Sequence, residues 1–302
     1  MKKSLIVIVG PTASGKTDLA IRLARHFGTE IISADSRQFY KEIPIGTAAP
    51  EPEDLDKVRH HFVGHLSIND EYNVSRFEQD VLKLLKELYH RLNTLVMVGG
   101  SGLYIDAVCR GIDDLPDPNP AIRAELRKLM EEKGLAALQD QLRSVDPGFY
   151  KTVDLRNPKR LMRAIEVSLQ TGKPYSTLRK NQPKKRDFHI IKIGLEVPRE
   201  ILDGHIRSRT KAMIEKGWLE EVRRVFPYRD LNALNTVGYK ELFMYLDGVW
   251  SLDQALEKIN TNTRRYAKRQ MTWFRKENDI TWFNPEDFHA IQEHVEHSLN
   301  LT

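Results

Sequence analysis

Residues 10–17 read Gly-Pro-Thr-Ala-Ser-Gly-Lys-Thr and fit the pattern G-x-x-x-x-G-K-[ST] at every fixed position. No other feature constrains the fold as much, because the pattern works only where a strand runs into it and a helix leaves it. Both are at hand. Residues 5–9 are a short apolar run of strand type, and residues 17–27 set Leu19, Ala20, Leu23 and Phe27 on one helical face. A second strand, 30–34, follows at once. Two strands joined through one helix run parallel. The expected fold is therefore α/β, with a P-loop NTPase-like core whose parallel sheet is flanked by helices.

The chemistry of the loop follows from its residue types. Glycines let backbone N–H groups converge on phosphate oxygens, and the following helix adds the partial positive charge of its N-terminus. The candidate diphosphate-binding residues are Gly10, Pro11, Thr12, Ala13, Ser14, Gly15, Lys16 and Thr17. Lys16 is placed to reach the terminal phosphates, and the Thr17 hydroxyl to bind Mg²⁺. Phosphate does not mean ATP, however. A hydrolysing P-loop enzyme commonly ends a second strand in an Asp that holds the metal. Here the strand at 95–98 runs into Gly99-Gly100 instead, which weakens an ATPase reading.

Two further strand ends carry polar side chains. Asp35, in Ser-Ala-Asp-Ser-Arg-Gln (33–38), follows the second strand, where parallel sheets place ligand residues. It suits a metal ligand or a general base; a turn or capping aspartate is the competing reading. Gly99-Gly-Ser101-Gly-Leu-Tyr follows the 95–98 strand, and its glycines permit close approach of a ligand beside the Ser101 hydroxyl. A plain tight turn is the alternative there.

Further along, residues 113–120 (Asp-Asp-Leu-Pro-Asp-Pro-Asn-Pro) break the chain. Segments 121–130, 135–143 and 158–170 read as helices, and a second polar break covers 181–187. Another strand is expected at 190–197, and the remainder is helix-rich. The predicted organisation is a catalytic core of residues 1–114 and 187–302, interrupted by a mainly helical insertion of residues 115–186.

With 302 residues and 40% hydrophobic content, the chain has the material for such a core plus an insertion. The single cysteine, Cys109, excludes an intrachain disulfide and suits a reducing cytoplasm. The apolar run near the N-terminus is too short for a signal peptide, and nothing approaches the ~20 apolar residues of a membrane span. A cytoplasmic location with no obligate protein partner is expected.

The blocks taken together resemble the tRNA dimethylallyltransferases (tRNA isopentenyltransferases) of bacterial type. They are the loop at 10–17, Ser-Ala-Asp-Ser-Arg-Gln-Phe-Tyr-Lys (33–41), Ile45-Gly-Thr-Ala, His60-His61 and Gly99-Gly-Ser-Gly-Leu-Tyr. Arg163-Ala-Ile-Glu-Val, Val237-Gly-Tyr and Thr263-Arg-Arg-Tyr-Ala-Lys-Arg-Gln-Met-Thr-Trp follow. The resemblance runs through nearly the whole chain, with departures. Ser101 stands where Thr is usual, Ala49 where Lys is common, Thr236 where Cys is common, and His205 where the first Arg of an Arg-x-x-x-Arg pair is expected. The C-terminal zinc finger of eukaryotic relatives is absent from the sequence.

The resemblance implies that a dimethylallyl group moves from dimethylallyl diphosphate to N6 of the adenosine 3′ of a tRNA anticodon. Asp35 matches the base, Ser101 a hydroxyl beside it, and Lys16 and Arg209 the cations on the leaving diphosphate, with Mg²⁺ on Thr17. Positions matching tRNA contacts are Asp35, Ser36, Arg37, Gln38, Ser101, Arg123, Lys159, Arg160, Arg163, Gly238, Tyr239 and Lys240, which would hold the anticodon stem-loop. His60 and His61 are read as structural, since neighbouring histidines cannot share one helical face.

Charge placement agrees with a polyanionic partner. Residues 156–192 carry eleven Lys or Arg against Glu166 and Asp187, and residues 263–276 carry six with no acid, interleaved with Tyr266, Trp273 and Phe274. Solvated basic helix faces are the bland reading of the same segments. The competing functions are a prenyltransferase of free adenine nucleotides, which needs no basic insertion, and a P-loop kinase, which needs the missing carboxylate after residue 98.

Overall fold

The computed structural model describes residues 3–300. Strand β1 (Ser4–Val9) leads through the glycine-rich loop into α1 (Lys16–His26), and β2 (Ile31–Ser33) follows. Next come α2 (Pro52–Lys57), β3 (His60–His61), α3 (Val74–Leu88), β4 (Thr94–Val98) and α4 (Gly102–Arg110). The insertion holds α5 (Pro120–Val145), α6 (Pro147–Tyr150), α7 (Pro158–Thr171) and α8 (Tyr175–Leu178). The chain then returns through β5 (His189–Leu195), α9 (Arg199–Glu215), α10 (Trp218–Val225), α11 (Tyr239–Leu246), α12 (Leu252–Phe274), β6 (Ile280–Phe283) and α13 (Phe288–Asn300).

Among the described residues the strands form one six-stranded sheet of order β3-β2-β4-β1-β5-β6, and every pairing is parallel. Parallel strands need crossovers that cover both faces, so the inner strands are buried on both sides, while the edge strands β3 and β6 stay partly exposed. Strand β1 shows it residue by residue. Leu5, Val7 and Val9 belong to one core with Phe77, Val81, Val108, Leu242 and Ile259 from α3, α4, α11 and α12. Ile6 and Ile8 belong to another with Leu19 and Leu23 of α1 and Ile291 and Val295 of α13. That double burial is why the sequence gives unbroken apolar runs here rather than alternation.

The chain divides into two compact units, residues 1–109 with 186–302, and residues 110–185. The second has its own core of Leu126, Leu138, Leu142, Leu161, Ala164 and Ile165. The two helices expected at 121–130 and 135–143 are the halves of α5, which is broken at Gly134, where φ is 75°. Strand β3 and the edge strand β6 are additions to the sequence reading. The first is two residues long, and the second follows the basic end of α12, so neither presents a run long enough to register as a strand. No helix among the described residues is long and apolar enough to cross a membrane.

Candidate active site

The carboxyl ends of β1, β2 and β4 lie side by side in the sheet, because β4 sits between the other two. These ends carry the glycine-rich loop, Asp35 and Ser101, so the fold brings the three separate sequence blocks to one edge. Gly10 has φ of 149°, and a Cβ there would lie 2.9 Å from the Leu195 carbonyl oxygen of the neighbouring β5. Only glycine lets the chain turn so close to that strand. Ala13 holds φ of 64°, a strained value for a residue with a side chain and one that recurs at ligand-binding loops. Gly15 caps α1 without any side-chain acceptor, which leaves that end of the helix suited to an outside anion.

Lys16 folds back so that its ammonium donates to the Pro11 carbonyl at 2.6 Å. Burial lowers its pKa to about 7; the nearby Arg209 cation pushes the same way, and the Asp35 carboxylate opposes them. A buried cation held largely by one neutral carbonyl is a site prepared for an anion. Arg209, on α9, donates to the Thr12 hydroxyl at 3.1 Å, and burial pulls its pKa below the usual range, with Asp35 again opposing. His205, one turn earlier on α9, sets Nδ1 3.1 Å from the Ala13 carbonyl oxygen. Arg209 and His205 therefore flank the loop from the same helix face.

Asp35 accepts the Arg37 N–H at 3.0 Å, which orients its carboxylate. Arg37 is itself anchored to the carbonyls of Asn232 and Ala233 at 2.7 and 3.2 Å, and Gln38 to that of Ala48 at 2.9 Å. Ser101 accepts the Ser36 N–H at 3.1 Å and shares a 3.2 Å hydrogen bond with the Ser36 hydroxyl. The hydroxyl of Tyr266, from α12, also reaches Ser101, and burial together with the Asp35 charge pushes that phenol above its ordinary pKa. It stays neutral beside the carboxylate.

Two cavities meet at this edge. A polar one of about 300 Å³ is lined by residues 12–17, Asp35, Glu51, Asp54, Gly99, Gly100, Arg209 and Gln270. A smaller one of about 110 Å³ is lined on its apolar side by Ile206, Met213, Trp218, Val237 and Ile259, with Tyr266 and Thr263 beside them. Thr12, Ala13, Asp35 and Arg209 belong to both linings. The arrangement suits a short apolar chain joined to a diphosphate, with a carboxylate at the junction. Ala49 lines the polar cavity and Thr236 the apolar one, so with Ser101 and His205 all four departures from the family pattern fall at this site. For a cation the local donors are oxygens only, the Thr17 hydroxyl and carboxylates, which is the chemistry Mg²⁺ selects.

Several contributors were missed from sequence. Tyr266 and Gln270 lie in a segment read as a family block and a basic surface, with no site role given to either. Their spacing of four residues sets them on one face of α12, and that spacing was the available signal. The basic side chains here are partly engaged, Arg264 of α12 with Asp203 at 3.0 Å and Arg275, just past its end, with Glu196.

In the insertion, Lys159 and Arg160 are exposed at the start of α7. Arg123 and Arg163 converge on Glu166, which is fully buried: Arg123 Nε and Arg163 Nη1 each lie 2.9 Å from it. Arg163 also donates to the Pro116 carbonyl at 2.7 Å. The segment 238–240 divides. Tyr239 is wholly buried with its hydroxyl on Glu221, and Gly238 is buried beside it. The expected RNA contact therefore does not extend to the Tyr239 side chain, which serves the core; Lys240 is the exposed member. His61 pairs with Glu30 at 2.7 Å and His60 with the Val58 carbonyl at 2.8 Å, both structural roles.

The family model for IPP transferase matches residues 38–277. A relative from Parabacteroides distasonis, tRNA dimethylallyltransferase 2, is 51% identical over 296 residues, covering 98% of this chain and 99% of the relative. The tRNA dimethylallyltransferase of Christiangramia forsetii is 50% identical over 301 residues, 99% of this chain and all of the relative. Among solved structures, the tRNA isopentenylpyrophosphate transferase of Bacillus halodurans is 33% identical with a TM-score of 0.72, covering 99% of this chain and 97% of that one. A eukaryotic dimethylallyltransferase solved acting on tRNA is 25% identical with a TM-score of 0.79, covering 98% of this chain and 77% of that one. The chain belongs to the IPP transferase family, whose members named here are prenyl-transferring enzymes that modify tRNA.

Proposed function

We propose that this enzyme transfers the dimethylallyl group of dimethylallyl diphosphate to N6 of the adenosine 3′ of a tRNA anticodon, releasing diphosphate. The observation that carries the reading is Asp35 on the wall common to the polar cavity, lined by the glycine-rich loop, and the apolar one. The diphosphate lies on residues 10–17, and the five-carbon chain enters the space lined by Ile206, Met213, Trp218, Val237 and Ile259. Apolar contact there contributes binding in proportion to the area it covers.

The amine at N6 is a weak nucleophile because its lone pair is delocalised into the ring. As N6 bonds to C1 of the dimethylallyl group, the C1–O bond breaks and its electron pair leaves with the diphosphate. The N6 proton passes to the Asp35 carboxylate, a contribution of roughly 10²–10⁴-fold for general-base catalysis. Ser101, fixed by Ser36, holds a hydroxyl next to that carboxylate to orient the adenine amine. Lys16 and Arg209 stabilise charge as it builds on the leaving oxygens, where it exceeds that of the ground state. The Thr17 hydroxyl would hold Mg²⁺, which when bound would supply positive charge against the same leaving group. The adenine must leave its stack to reach Asp35.

The insertion is assigned to the anticodon stem-loop, with Lys159 and Arg160 as exposed phosphate contacts and the Arg123–Glu166–Arg163 cluster as an ordered guanidinium pair behind them. A cytoplasmic location is part of the same reading. A kinase reading lacks the carboxylate after β4, where Val98 leads into Gly99-Gly100. The test is incubation with labelled dimethylallyl diphosphate, Mg²⁺ and unmodified tRNA. Label in the RNA at the position 3′ of the anticodon is expected; label on free adenine nucleotides and not on tRNA would overturn the assignment.

A further inference from the structure

Gln270 is a buried polar side chain near the C-terminal end of α12, and both ends of its amide are used. Its Oε1 accepts the Thr12 backbone N–H at 2.8 Å, and its Nε2 donates to the Gly100 carbonyl at 2.9 Å. The two partners belong to different ligand loops. Thr12 is in the phosphate loop after β1; Gly100 is in the turn after β4, immediately before Ser101. A Cβ at Gly100 would stand 2.1 Å from the Gln270 amide nitrogen, so that glycine is required by this contact and not only by the turn. Thr12 is gripped a second time, by Arg209 on its hydroxyl. Because its N–H is already given to Gln270, Thr12 is not a backbone donor to phosphate. That task falls to the residues after it.

We infer that Gln270 is a positioning residue for the transfer step: it sets the distance between the loop that holds the leaving diphosphate and the turn that presents Ser101 beside Asp35. The inference rests on the proposed reaction, in which leaving group and acceptor must meet across these two loops. Displacement of a reacting group by about 1 Å costs up to 10²-fold in rate without abolishing binding, which sets the size of the effect. An apolar residue of similar volume would fill the space but leave Thr12 N–H and Gly100 C=O unpaired and free to separate.

The test uses full-length wild type, Gln270→Leu and Gln270→Glu, with kcat and both KM values measured against pH and thermal midpoints alongside. In Gln270→Leu, kcat per folded molecule should fall by about 10- to 10²-fold while KM for tRNA stays within twofold. Gln270→Glu separates positioning from packing. Its ionised carboxylate accepts from Thr12 but repels the Gly100 carbonyl; once protonated it donates to Gly100 as the amide does. Its kcat should therefore rise as pH falls through the carboxyl pKa, an added limb that wild type and Gln270→Leu lack. Wild-type turnover in Gln270→Leu, a loss matching only the unfolded fraction, or a wild-type pH profile in Gln270→Glu would overturn the inference. If Gln270→Leu does not fold, the Gln270→Glu profile decides. A wild-type enzyme that fails to label tRNA would instead refute the reaction itself, so the two failures are distinct.

Discussion

Raising the pH above 7 should loosen the enzyme's hold on dimethylallyl diphosphate, and the cause is Lys16. In the free protein its pKa is about 7, set by burial of the ammonium and by Arg209. A diphosphate on the loop supplies the missing negative charge and lifts that pKa well above the working range. Below pH 7 the lysine is already charged, so binding moves no proton. Above pH 7 binding must take one up, and for an anion that binds only the ammonium form the apparent Kd grows as one plus 10 to the power (pH − 7). That factor is 2 at pH 7 and about 100 at pH 9, a loss of roughly 50-fold over two units. The ligand contributes little of its own, since a phosphate's last ionisation lies near pH 6. The assay is titration calorimetry at pH 8 in two buffers of different ionisation heat. About 0.9 protons per ligand should be taken up, because only about a tenth of free Lys16 is charged there. In Lys16→Met the uptake should vanish. Uptake near zero in the wild type, with affinity flat from pH 7 to 9, would show that Lys16 keeps its charge without a ligand and would refute the argument.

The same residue affects stability: Lys16 binds a proton in the unfolded chain between about pH 7 and 10.5 but not in the folded one, so ligand-free enzyme should gain stability over that window and Lys16→Met should lack the gain, read by thermal midpoint against pH. Asp35→Asn should keep both substrate affinities and lose roughly 10²–10⁴-fold in single-turnover rate; full activity would remove Asp35 from the chemistry. Neutralising exposed Lys159 and Arg160 together should lower the slope of log affinity for tRNA against log salt by about 1 to 2 units, measured by filter binding, and an unchanged slope would place the RNA elsewhere. Val237→Phe, which crowds the apolar cavity, should raise KM for dimethylallyl diphosphate about tenfold while inorganic diphosphate binds as before; equal weakening of both ligands would mean the chain does not sit there.

Much of this was open to reading before any fold was known. Gly10–Thr17 with its flanking strand and helix fixed a parallel α/β core, because that spacing has no use without a strand-to-helix turn. Asp35 and Ser101 stood out because each follows a strand of such a sheet. The insertion showed itself through the breaks around 113–120 and 181–187, since proline-rich polar chain cannot continue an element. What stayed hidden was decided by packing over long separations. Gln270 lies 258 residues from Thr12 and 170 from Gly100; spacing puts it on one face with Tyr266, but nothing local to α12 says that this face points into the site. The apolar cavity draws Ile206, Trp218, Val237 and Ile259 from four separate segments, each of which reads alone as ordinary core. Tyr239, matched to a tRNA-contact position through the resemblance, has its side chain in the core, with its hydroxyl on Glu221, which no local pattern showed. Local spacing determines which elements form and which residue types can carry the chemistry. Only the tertiary fold decides which of them face one another, because burial, and with it the depressed pKa of Lys16, comes from neighbours far away in the chain.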